Sequence, residues 1–105
     1  MVFDLLDRYL LGEKKTMSKA QLIEKLLAEP SPEPAAAPFY RALSMVGARV
    51  ADEAFIALRL AMRGEPPADD AVREVRDLLT RARSEDEAER VQAVAAYKSR
   101  VGATI

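Results

Sequence analysis

Residues 39–63 read FYRALSMVGARVADEAFIALRLAMR, and the reading of this stretch decides the fold. Leu43, Gly47, Val50, Ala54, Ala57 and Ala61 recur every three or four residues, flanked by Val46 and Leu58. That is the period of an amphipathic helix. Arg41, Arg49, Asp52, Arg59 and Arg63 gather on the opposite face as a narrow polar strip. Phe55, Ile56, Leu60 and Met62 spread apolar surface around most of the remaining circumference. A helix so widely apolar is contacted on more than one side, so the stretch reads as one long central helix. Gly47 falls in its middle, where glycine costs about 1 kcal/mol relative to alanine. With Ser44, Ala48, Ala51, Ala54 and Ala57 around it, Gly47 marks a small-residue surface. Such a surface serves either tight contact within the chain or a symmetric helix–helix contact between copies.

Downstream, Gly64 is expected to close the helix in a left-handed conformation, and Pro66–Pro67 to open the next. Asp69–Asp70 at the start of that helix and Arg81 and Arg83 at its end suit the helix dipole. Its buried stripe reads Val72, Val75, Leu79 and Ala82. Ser84 then opens a last helix through the capping box S-E-D-E. The stripe expected to be buried there is Ala88, Val91, Val94–Ala95 and Val101, with Gly102 as the stop.

Upstream, residues 29–38 read EPSPEPAAAP, four prolines in ten positions. Prolines so spaced fix φ and remove donors, which predicts a stiff, extended tether of polyproline character. It lacks the basic residue that a proline-binding groove would use as an anchor. Before it, Ser18 and Gln21 form a second capping box, S-K-A-Q, ahead of Leu22, Ile23, Leu26 and Leu27. Pro30 ends that helix. The first helix runs from Val2 to Leu11, with Phe3, Leu6 and Tyr9–Leu10 at helical spacing and Gly12 as the stop.

The expected architecture is all-α, a small bundle of about five helices in a single domain over residues 1–105. A two-helix N-terminal arm (1–28) is joined by the proline-rich linker (29–38) to a three-helix core (39–105). The tether spans roughly 30 Å at ~3.1 Å per residue. The arm is therefore able to pack on its own chain or on a neighbour.

Composition excludes much chemistry. Half of the 105 residues are apolar and 31% are charged, with no Cys and no His. Disulfides, zinc sites, cysteine nucleophiles and imidazole acid–base catalysis are thereby removed. No cofactor or metal is expected. The absence of cysteine, of a signal peptide and of a spanning segment points to the cytoplasm and away from a membrane. The preference for Arg over Lys and the high Ala content suggest a bacterial or phage genome. A net charge of −1 gives no overall attraction to nucleic acid.

Carboxylates are the remaining catalytic candidates. Asp52–Glu53 followed by Glu74-Val-Arg-Asp77 is similar to part of the magnesium-holding E-E-x-x-E…E-x-x-D pattern of the all-α MazG-type nucleotide pyrophosphatases. Ile56 stands where the third carboxylate belongs, so the site is broken and no enzyme activity is expected. Glu85-Asp86-Glu87 reads as a dipole-matched helix start, since calcium loops interleave carboxylates with Gly and Asn.

What remains is interaction. The expected role is a non-catalytic assembly subunit that oligomerises through apolar helix faces and docks on a larger protein partner. The candidate interface residues are Phe3, Leu6, Tyr9, Leu10, Gly47, Ala54, Phe55 and Ile56. The alternative is a nucleic-acid-associated oligomer, analogous to the small helical adaptors of phage DNA packaging. Arg73, Arg76 and Arg83 on one helix face would then contact phosphates.

Overall fold

A computed structural model of the chain describes residues 2–12, 17–28 and 34–104, with side chains from Asp4 onward. Within it the long central helix breaks at Gly47. The φ of 63° and ψ of −139° there belong to a region that is nearly confined to glycine. Helix α3 (Ala37–Val46) ends at this residue, a 3-10 turn covers Gly47–Arg49, and α4 (Asp52–Met62) begins anew. A Cβ added to Gly47 would meet nothing within 4 Å. Glycine is required here for its dihedral angles, which corrects the expectation of close backbone approach within the chain. The break also changes the count. Among the described residues six α-helices and two 3-10 turns form, with no strand, where about five helices were expected.

The other elements follow from local chemistry. Helix α1 spans Val2–Leu10 and α2 spans Lys19–Ala28. The capping box that opens α2 is complete: Gln21 N donates to Ser18 Oγ at 3.2 Å, and Ser18 N donates to Gln21 Oε1 at 3.0 Å. Residues 29–33 of the proline tract lie outside the described residues. Its second half is not extended: Pro34–Ala36 form a 3-10 turn and Pro38 already lies in the first turn of α3, where proline's fixed φ suits a helix start. Helix α4 ends in a Schellman pair, with Gly64 N donating to Ala61 O and Glu65 N to Leu60 O, both at 3.0 Å. Helix α5 spans Asp69–Arg81 and α6 spans Glu87–Val101. The cap of α6 is Asp86 and not Ser84, since Ala88 N donates to Asp86 Oδ1 at 3.0 Å. Ser84 Oγ instead accepts from Asp86 N and donates to Glu89 Oε2, organising the turn that leads into the helix.

A single core joins all six helices. Leu6, Tyr9 and Leu10 of α1 and Leu22, Ile23 and Leu26 of α2 belong to the same buried cluster as Phe55, Leu60, Val75 and Tyr97. Helix α1 lies on α4 and α2, α4 on α5, and α5 with α6 forms the most extensive pair. The N-terminal helices are thus layers of one core, in contact with their own chain, and differ in this from a detached arm. Tyr9 meets Phe55 edge-on with ring centroids 5.4 Å apart, the geometry that aromatic quadrupoles favour.

Helix α6 buries only part of the stripe expected from its apolar pattern: Val101 is buried and Val94 half-buried, but the inward face is centred elsewhere. Ala93, Tyr97 and Val101 are buried, whereas Ala88 and Ala95 are exposed and Val91 is 59% exposed. An alanine-rich helix has two apolar faces, and the face carrying Tyr97 buries the larger area. No described helix is long and apolar enough to cross a membrane.

Candidate functional site

Among the described residues, the most fully buried charged side chain is that of Asp7. Its side chain is sealed from solvent where α1, α4 and α6 meet. Arg59 Nε donates to Asp7 Oδ1 at 2.7 Å, and Tyr97 Oη donates to the same oxygen at 2.7 Å. Arg59 Nη2 also donates to Val101 O at 2.9 Å, placing a cation on the last turn of α6. Burial first, and then the neighbouring Asp7 carboxylate, push the Tyr97 hydroxyl well above its ordinary pKa. With Asp7, Arg59 and Tyr97 all buried, the cluster acts as a clamp between three helices. Asp7 Oδ2 accepts no hydrogen bond among those residues. The clamp was invisible in the sequence, where Arg59 read as part of a narrow polar strip.

A second polar junction lies nearer the surface. Arg100 of α6 grips Glu65 with both terminal nitrogens, at 2.7 and 2.8 Å, and its Nε lies 3.1 Å from Glu74 of α5. Arg63 donates to the Arg100 carbonyl. The hydrogen bonds from Arg100 hold the Glu65 carboxyl below its ordinary pKa. The stretch after α4 is thereby fastened to α5 and α6.

The remaining carboxylates are dispersed. Asp52 faces Lys19 at 3.5 Å and accepts from the Tyr9 hydroxyl at 3.4 Å. Glu53 pairs with Arg76 at 3.2 Å, and Ile56 is buried in the core. Among the described residues no three acidic side chains converge on a common point.

The three arginines considered for phosphate differ in their situation. Arg76 pairs with Glu53, and Arg83 Nη2 donates to Leu10 O at 3.0 Å, capping α1 with a cation. Arg73 is exposed and forms no ion pair among the described residues.

Of the expected interface residues, Leu6, Tyr9, Leu10, Phe55 and Ile56 are spent on the chain's own core. The side chain of Phe3 lies outside the described residues. Gly47 and Ala54 are half-buried beside an apolar groove of about 260 Å³. One wall is the α3 face Phe39, Ala42, Leu43 and Val46; the other is Val50, Ala51, Ala54 and Leu58. The break at Gly47 makes this groove: the two helices diverge there, and α3 packs on α2 and the adjoining 3-10 turns instead of on α4.

Two exposed apolar side chains belong to the same α3 end, Met45 at 85% and Val46 at 45% exposure. The fifteen residues 37–51 contain Arg41 and Arg49 but no carboxylate. Both arginines are exposed and form no ion pair among the described residues. Sequence reasoning undervalued Met45 and Val46, although more apolar residues stand in 39–46 than one helix face can bury. Comparison of the chain with known protein families, with curated proteins and with solved structures returns no match.

Proposed function

We propose that the protein is a non-catalytic assembly subunit that self-associates and docks on a larger partner through its α3–α4 face. The observation that carries this reading is the groove itself. It is apolar along both walls, stands open, and is lined in part by the exposed Val46. Exposed apolar surface of this kind, rimmed by charge, is typical of interaction sites. Small-molecule clefts usually hold ~300–1,000 Å³ and several convergent polar groups. This groove is smaller, and Arg49 is its single polar lining residue.

The nucleic-acid reading draws on Arg73, Arg76 and Arg83. Two of these already bond within the chain, which leaves them less to offer a phosphate. It predicts duplex binding that weakens steeply with salt.

Methyl resonances test the assembly reading. On raising the concentration, the signals of Val46, Val50 and Leu58 are expected to shift or broaden while that of Val75 in the core stays fixed. Unchanged groove signals into the high micromolar range, with a monomer mass throughout, would overturn it.

A further inference from the structure

We propose that the α3–α4 groove of one copy receives the outward face of α6 from a second copy, joining chains head to tail. This inference rests on the assembly reading above and names its occupant. Three observations lead to it. The groove lies between two consecutive helices that diverge at Gly47, so the space between them has the form that a third helix fills. The one charged side chain that lines it is a cation, Arg49. A two-fold contact of groove on groove would set Arg49 against its own copy, and isologous pairing is disfavoured on that ground.

The third observation is on α6. Opposite its buried face, Ala88, Val91 and Ala95 form an exposed apolar stripe at helical spacing, with Val91 59% exposed. The exposed carboxylates Glu85, Glu87 and Glu89 stand at its N-terminal end. Small side chains allow close approach of a helix to a narrow groove, and the acidic end complements Arg49. The nearby Arg90, three and seven residues before the buried Ala93 and Tyr97, stands on the side of α6 away from the stripe and donates to Ser84 O. Helix α6 packs chiefly on α5 and makes no extensive contact with α3. One chain is therefore able to give its stripe and its groove at the same time, and such heterologous contacts build rings or filaments.

Mass measurement by sedimentation on three folded proteins tests the proposal: the native chain, the groove variant Arg49→Glu and the stripe variant Val91→Asp. All altered side chains are exposed, and circular dichroism checks that the helices persist; Ala95→Glu replaces Val91→Asp should the latter unfold. The native chain is expected to grow in mass with concentration. Each variant alone is expected to associate about tenfold more weakly or less still. Mixed one to one, the variants are expected to form a heterodimer that grows no further, since one retains a sound stripe and the other a sound groove. If the native chain assembles and Val91→Asp assembles equally well, or the mixture fails to pair, head-to-tail joining is overturned while assembly stands. A native chain that stays monomeric overturns both.

Discussion

The junction of α1, α4 and α6 and the α3–α4 face invert the usual placement of side chains. At the junction, a carboxylate and a guanidinium are sealed inside, with Asp7 0% and Arg59 3% exposed. At the end of α3, Met45 and Val46 stand 85% and 45% exposed, and Val46 lines an apolar groove. The difference teaches that hydrogen-bond satisfaction and backbone geometry, more than residue polarity, decide what is buried here. Asp7 is tolerable inside because two donors reach one oxygen at 2.7 Å; unpaired, a buried charge costs several kcal/mol. Val46 stays outside because the chain turns away at Gly47 before another helix can cover it.

The largest expected effect breaks the buried half of this comparison. Asp7→Ala leaves Arg59 buried without its carboxylate, and denaturant unfolding should report a loss of about 3–5 kcal/mol. A chain of this size has roughly 5–15 kcal/mol in all, so the variant sits near the threshold of folding. The double change Asp7→Leu with Arg59→Met removes both charges and should recover most of the loss. Failure to recover would mean that the clamp specifies the helix arrangement beyond its charge balance.

Gly47→Ala comes next. Alanine at a φ of 63° is strained, and a loss of about 1–3 kcal/mol is expected in thermal or urea unfolding. Altered methyl signals from Val46 and Val50 should accompany it, because the groove depends on the break.

Tyr97→Phe should cost about 1–3 kcal/mol by removing one of the two donors to Asp7. It should also change the alkaline limb of stability. The folded-state pKa of Tyr97 is raised. Its contribution is therefore fully present below the unfolded tyrosine value near ~10 and is lost as pH rises above it. The variant should show a flatter decline there, measured by unfolding at stepped pH. Glu65→Gln works in the opposite direction at about 1 kcal/mol. The Glu65 pKa is lowered, so its contribution holds above the unfolded value near ~4.3 and disappears as pH falls through the folded one. The native chain and the variant should converge in stability in acid.

The smallest effect sharpens the exposed half. Val46→Ser should change monomer stability by no more than about 0.5 kcal/mol while weakening self-association. If it destabilised the monomer as much as Asp7→Ala does, the contrast between the two regions would collapse.

Features that depend on a few neighbouring residues were legible in the sequence. Ser18 with Gln21, Gly64 after α4, and Asp69–Asp70 opening α5 act within one turn, where residue type alone determines the bonding. The all-helical class followed from the same local preferences. The inward face of α6 was legible only at Val101, because Ala88, Val91 and Ala95 compete on equal terms with Ala93 until Tyr97 finds Asp7 across the core. The clamp was not legible, since Arg59 and Asp7 are 52 positions apart. Gly47 drew notice for the wrong reason: its small size suggested proximity, whereas its freedom of φ divides the helix. That division created the groove on which the proposed interface rests, so the candidate site was legible only as a surplus of apolar residues.

The clamp also orders events in time. Asp7 waits for partners 52 and 90 positions further along the chain. At the ~5–20 residues per second of protein synthesis, Tyr97 is added about 5–20 s after Asp7. A helix of nine residues is marginal in water by itself. Helix α1 is thus made before its partners and secured only when α6 arrives, so the two ends of the described chain complete the fold together.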